Sequence, residues 1–124
     1  MKRKIILELY NIIAQSRTKG FTVQENLNWL DNFKLIKKAA EETRESLLQL
    51  LAQHGIQQQN GVVDTTKVDK EAFADYQQAE INYLDEVVEI ELKHKFSDEK
   101  LMTVAEQNEY TTAQIELLFS HLKE

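Results

Sequence analysis

Residues Thr22–Gly55 read TVQENLNWLDNFKLIKKAAEETRESLLQLLAQHG, with no Gly or Pro between the first residue and the last. Thr22 followed by Glu25 has the form of a capping box, in which hydroxyl and carboxylate each satisfy a free backbone N–H of the first turn. Gly55 suits the left-handed position just past a helix end. The stretch predicts one helix roughly 48 Å long, against a radius of gyration of ~14 Å for a compact chain of this size. Such a helix is a spine on which the rest must pack. Leu27, Leu30, Phe33, Ile36, Ala40, Thr43, Leu47 and Leu50 fall on one stripe, the seam of a helical hairpin or bundle. Trp29 lies off the stripe. It either extends the core beside Phe33 and Ile36 or offers a partner contact near an exposed helix end, and it is carried as a candidate contact residue. Lys34, Lys37, Lys38, Glu41, Glu42 and Glu45 mark the outward face.

Before the spine, residues 3–18 predict a first helix, with Ile5, Ile6, Leu9, Ile12 and Ile13 at helical spacing. Gly20 ends it, and Phe21 is placed for a staple onto Asn26 or Leu27. After the spine, Asn60-Gly61 signals a tight turn between short β-like pieces, and Asp69 is the expected cap of a third helix over roughly 70–85. In residues 87–96, Val88, Ile90, Leu92, His94 and Phe96 alternate with Glu89, Glu91, Lys93 and Lys95, which predicts a strand with one apolar face. Its backbone needs partners, from 56–63, from a weaker strand around Leu101–Ala105, or from another chain. Thr111 and Gln114 repeat the capping-box form ahead of a C-terminal helix carrying Ile115, Leu118, Phe119 and Leu122. The expected fold is mainly α with a small β element (α+β) in a single domain over 1–124: a long helical hairpin, a third helix, short antiparallel strands and a C-terminal helix.

Composition excludes much. The chain of 124 residues has no Cys, which removes disulfides, thiolate nucleophiles and zinc–thiolate or iron–sulfur sites. His54, His94 and His121 lack the spacing of a metal-binding helix. The three Gly stand too far apart to cradle phosphate, and no Ser sits in a nucleophile elbow. Glu89 and Glu91 share a strand face, but a calcium site needs six or more converging oxygens and Lys93 and Lys95 would repel a cation. No catalytic, cofactor-binding or metal residue is assigned, and an enzyme is not expected. The N-terminal apolar stretch is broken by Glu8 and Asn11, and no run is long enough for a membrane span, so a cytoplasmic protein is expected.

Charge is lopsided. Residues 1–62 carry nine Lys/Arg against six Asp/Glu, and residues 63–124 carry six against fifteen. Nine of the acids fall in Asp64–Glu91. That excess disfavours direct nucleic-acid binding; it reads as a solvated acidic surface or as a face for a basic partner or a partner subunit. Asp85, Glu86, Glu89 and Glu91, with Trp29, are the candidate partner-binding residues.

The order of features from Ile36 to Asn82 and on through the 83–92 stretch resembles a family of small phage and prophage proteins of Gram-positive bacteria. Arg44, Leu47, Leu48, Gly55, Asn60, Gly61, Phe73, Leu84, Glu86, Val88, Glu89 and Ile90 fit its pattern, and Thr111–Leu118 fits its last helix. His54 stands where the family has Tyr, Gln59 where it has an acid, and the 97–110 stretch is longer. The resemblance implies a phage or prophage origin and a helical protein with one short strand element; it brings no active site. The expected role is a non-enzymatic accessory protein that binds a host or phage protein through its acidic surface and strand edge, and a small homo-oligomer is compatible with it. The alternatives are an acidic, DNA-like inhibitor of a host nuclease or defence complex, and a virion or tail assembly factor.

Overall fold

A computed structural model describes residues 1–56, 58–59, 62–63 and 69–124, the two short pairs by backbone alone. The spine forms as helix α2, Val23–Gln53, after helix α1, Arg3–Ala14. Both halves of the capping box are made: Thr22 Oγ1 accepts from the Glu25 N–H at 3.1 Å, and Glu25 accepts from the Thr22 N–H at 2.9 Å. At the other end Gly55 takes φ +70°, so that its N–H reaches Ala52 O and the Ile56 N–H reaches Leu51 O, each at 3.0 Å. This double closure satisfies the last carbonyls, and Ile56 and Leu51 share a small buried cluster.

Helix α3, Lys70–Leu84, lies against the second half of α2, where Tyr76 is buried with Leu51 and Ile56. Asp69 precedes α3 but makes no side-chain cap bond. Helices α4, Asp98–Gln107, and α5, Thr112–Leu122, form a second hairpin. The main core joins Ile6, Leu9, Ile12 and Ile13 of α1, Ile36, Ala39 and Ala40 of α2, Leu101 and Val104 of α4, and Leu118 and Leu122 of α5. The Thr111–Gln114 capping box forms as expected.

Three expectations are corrected. Among the described residues the fold is helical, with five helices, and the small β element of an α+β fold is not seen as a layer: residues 87–96 form no strand and Leu101–Ala105 lies inside α4. Gln58–Gln59 and Val62–Val63 meet in a ladder two residues long, too short to add a layer to the core. The Asn60-Gly61 turn lies outside the described residues, as does the acidic stretch from Asp64 to Val68. Helix α1 stops at Ala14 instead of Thr18, because the backbone of Arg17 and Lys19 pairs with the side-chain amides of Asn108 and Gln107. The stripe on the first half of α2 is rotated: Trp29 and Asn32 are buried, whereas Leu27 and Leu30 are exposed. Phe21 stacks on Phe96 and meets Trp29 edge-on.

Candidate functional site: the strap over residues 85–96

Between α3 and α4 the chain crosses the molecule as a strap. Its burial alternates as the sequence pattern requires. Leu92 and Phe96 are buried and Val88, Ile90 and His94 are partly buried, while Glu89, Glu91, Lys93 and Lys95 are exposed. Period-two burial means extended backbone, because only there do successive side chains point to opposite faces. A strap without a sheet must find other partners for its N–H and C=O groups.

Those partners come from three distant places. The Val88 N–H donates to Met1 O at 2.8 Å, and the Met1 ammonium donates to Val88 O at 2.9 Å. Halfway along, the buried Asn32 side chain serves one residue twice: its amide donates to His94 O at 2.8 Å and its carbonyl accepts the His94 N–H at 3.3 Å. At the far end the Phe96 N–H reaches Leu122 O at 2.7 Å and the Glu124 N–H reaches Phe96 O at 2.9 Å. All six bonds belong to even-numbered residues of the strap. In an extended chain the N–H and C=O of one residue point to the same edge and those of the next residue to the opposite edge. The even edge is therefore tied to the body of the protein at Val88, His94 and Phe96, while Ile90 and Leu92 between them make no backbone hydrogen bond among the described residues and are held by packing on the core. Among the described residues, the backbone of Glu89, Glu91, Lys93 and Lys95 on the odd edge makes no hydrogen bond.

The acids are not equivalent. Asp85 pairs with Lys2 at 3.0 Å and Lys4 at 3.9 Å, and the Lys2 hydrogen bond holds its carboxyl below the usual carboxylate range. Glu86 pairs with Arg3 at 3.4 Å. The basic run Lys2-Arg3-Lys4 thus neutralises the start of the strap, a match of opposite charge runs that the sequence displays but that spacing alone does not connect. Glu89 and Glu91 make no ion pair among the described residues. Lys95 donates to His121 O at 2.8 Å. Trp29 does not join them: it is buried, edge-on to Phe96 at 5.4 Å, and is a core residue with no surface to offer. The candidate surface is made of Asp85, Glu86, Glu89 and Glu91, and Lys93 and Lys95, which the alternation puts on the same face, continue it.

The strap also closes one side of an open groove of about 380 Å³, lined by Asp31, Lys34, Leu35, Lys38, Lys93 and His94. His94 Nε2 lies 3.2 Å from the Asp31 carboxylate, an exposed pair with no hydroxyl or thiol nucleophile in the lining. A groove of about 370 Å³ between α1 and α5 holds Glu8 as its one titratable group. Helix position does not govern His121. Burial first and the Lys95 ammonium second push its imidazole below the ordinary value, although it sits at a helix C-terminus. Among the described residues no cluster of three or more His, Asp or Glu is placed to hold a metal ion, and no helix is long and apolar enough to cross a membrane. No protein-family model, curated protein or solved structure matches the chain.

Proposed function

We propose that this chain is a non-enzymatic protein-interaction module, an accessory protein of phage origin acting in the host cytoplasm through the outer face of the strap. The observation that carries the reading is the open odd edge at Glu89–Lys95, whose backbone donors and acceptors face away from the three anchor points. Exposed, extended backbone with unused hydrogen-bonding groups is what strand-adding partners recognise. The phage origin rests on the sequence resemblance alone. A DNA-like decoy fits less well, because Lys2, Arg3 and Lys4 neutralise Asp85 and Glu86 and Lys93 and Lys95 interrupt the acids.

The test is affinity purification of the tagged chain from infected host cells, run beside a Glu89→Lys/Glu91→Lys variant. Both substitutions are on the exposed face, so circular dichroism of the variant should match the parent. Loss of a specific bound protein from the variant supports the surface. Retention of the same protein at the same yield would sink it.

A further inference from the structure

The outward face of the strap reads Glu89, Glu91, Lys93, Lys95. This order is complementary to its own reverse. Two copies laid antiparallel with Leu92 opposite Leu92 place Glu89 opposite Lys95 and Glu91 opposite Lys93, and the two-fold axis repeats both pairs. Sliding the register by two residues puts Lys93 opposite Lys93. Parallel pairing puts every charge against its like. One register alone matches all four positions, and like charges directly opposite are destabilising.

The backbone agrees with that register independently. Antiparallel neighbours exchange both N–H···O bonds at alternate residues. The even residues Val88, His94 and Phe96 are spent on Met1, Asn32, Leu122 and Glu124. Ile90 and Leu92 lie on that same tied edge with their side chains against the core; the opposite edge belongs to the odd residues, and they are the ones carrying the complementary charges. The Lys95 ammonium donates one bond to His121 O and has two donors left for a carboxylate.

We infer that residues 89–95 form the two-fold contact of a homodimer, each chain supplying the antiparallel neighbour that the other lacks. This rests on the protein-interaction reading above and names a second copy of this chain as the partner of that surface. The geometry is isologous, so the contact closes on itself and does not propagate into a fibre. The contact is small and polar, and the dimer is correspondingly weak and salt-sensitive.

Sedimentation velocity on the full chain at ~100 µM, high enough to populate a weak contact, tests the inference. Wild type should sediment as a concentration-dependent dimer. Glu89→Lys/Glu91→Lys makes the face all-basic and Lys93→Glu/Lys95→Glu makes it all-acidic; each alone should be monomeric. Mixed one to one, they should restore a heterodimer, which a folding defect could not produce. A monomeric wild type overturns the inference, as does a wild-type dimer unaffected by either reversal. If wild type is monomeric but still loses a different bound protein on reversal of Glu89 and Glu91, the homodimer falls and the interaction surface stands.

Discussion

Replacing Asn32 with Ala should loosen the strap at its midpoint. Asn32 is almost fully buried on α2 and holds both backbone groups of His94. The Ala side chain removes two hydrogen bonds and leaves a partly buried N–H and C=O without partners, at ~1–3 kcal/mol each. Ala is the better helix former, which returns about 0.5 kcal/mol. The net loss is ~1.5–5.5 kcal/mol, a large share of the roughly 5–15 kcal/mol that holds an ordinary domain together. For a chain of this length that corresponds to a fall in Tm of about 10 °C. Urea unfolding followed by circular dichroism reads the loss as a lower midpoint at unchanged slope. Asn32→Asp sharpens the assay. It keeps the shape and the acceptor, but at neutral pH it sets a carboxylate against the His94 carbonyl, so it should be less stable than Asn32→Ala at pH 7 and should recover on acidification. The exposed Asn82→Ala, which loses only a surface contact with Gln78, should stay within about 0.5 kcal/mol of wild type. An Asn32→Ala variant equally close to wild type would refute the reasoning, because the strap would then not depend on its anchor.

Trp29→Ala should cost about 3–5 kcal/mol by opening the aromatic cluster with Phe21 and Phe96, with loss of the chain's only Trp fluorescence; a change under 1 kcal/mol would restore Trp29 as a surface contact. Gly55→Ala should cost about 1–2 kcal/mol from the positive φ alone, because nothing lies within 4 Å of where its Cβ would stand; chemical denaturation measures it. The His121 imidazole has a folded pKa below its unfolded value, so the unfolded chain binds the proton more readily. Its contribution is fully present above about pH 6.5 and is lost as pH falls through the lower folded value. Stability should therefore decline on titration from pH 7.5 to 5.5, and a His121→Gln variant should show a flatter profile over that window. Asp85, also held below its ordinary value, loses its contribution in the same direction at more acid pH.

Local chemistry was legible in the sequence and long-range pairing was not. The two capping boxes and the Gly55 closure depend on residues within one or two turns of each other, and all three form. The strap shows where the reading stops. Alternation from Val88 to Phe96 reports which side chains are buried, and it does so correctly, but a period of two says nothing about what the backbone bonds to. The partners lie 87 residues back at Met1, 62 back at Asn32, and at the chain's other end. One side-chain amide at the midpoint and main-chain bonds at both ends replace a sheet here, and side-chain amides serve again where Gln107 and Asn108 hold the loop after α1. An Asn or Gln in a helix gives no sign in sequence that it will do this. On α2 the stripe is rotated in the same place: Asn32, off the predicted apolar stripe, is buried with its bonds to His94, and Trp29 is buried near it while Leu27 and Leu30 are exposed. Ser97, Asp98 and Glu99 carry the signal of a helical turn, and Ser97 does cap α4 by accepting from the Lys100 N–H; the weaker strand expected around Leu101–Ala105 lies inside that helix. For the candidate surface, Glu89 and Glu91 stood out as acids, while their complementarity to Lys93 and Lys95 matters only once the odd edge is known to be open.

Residue-resolved amide hydrogen exchange across the strap tests the central claim most directly. In dilute protein the amides of Val88, His94 and Phe96 should be protected, those of Glu89, Glu91 and Lys93 should exchange at nearly the open-chain rate, and this second set should slow as the concentration rises. Uniform protection along 88–96 in dilute protein, or uniform fast exchange, would contradict a strap with one edge tied and one edge open.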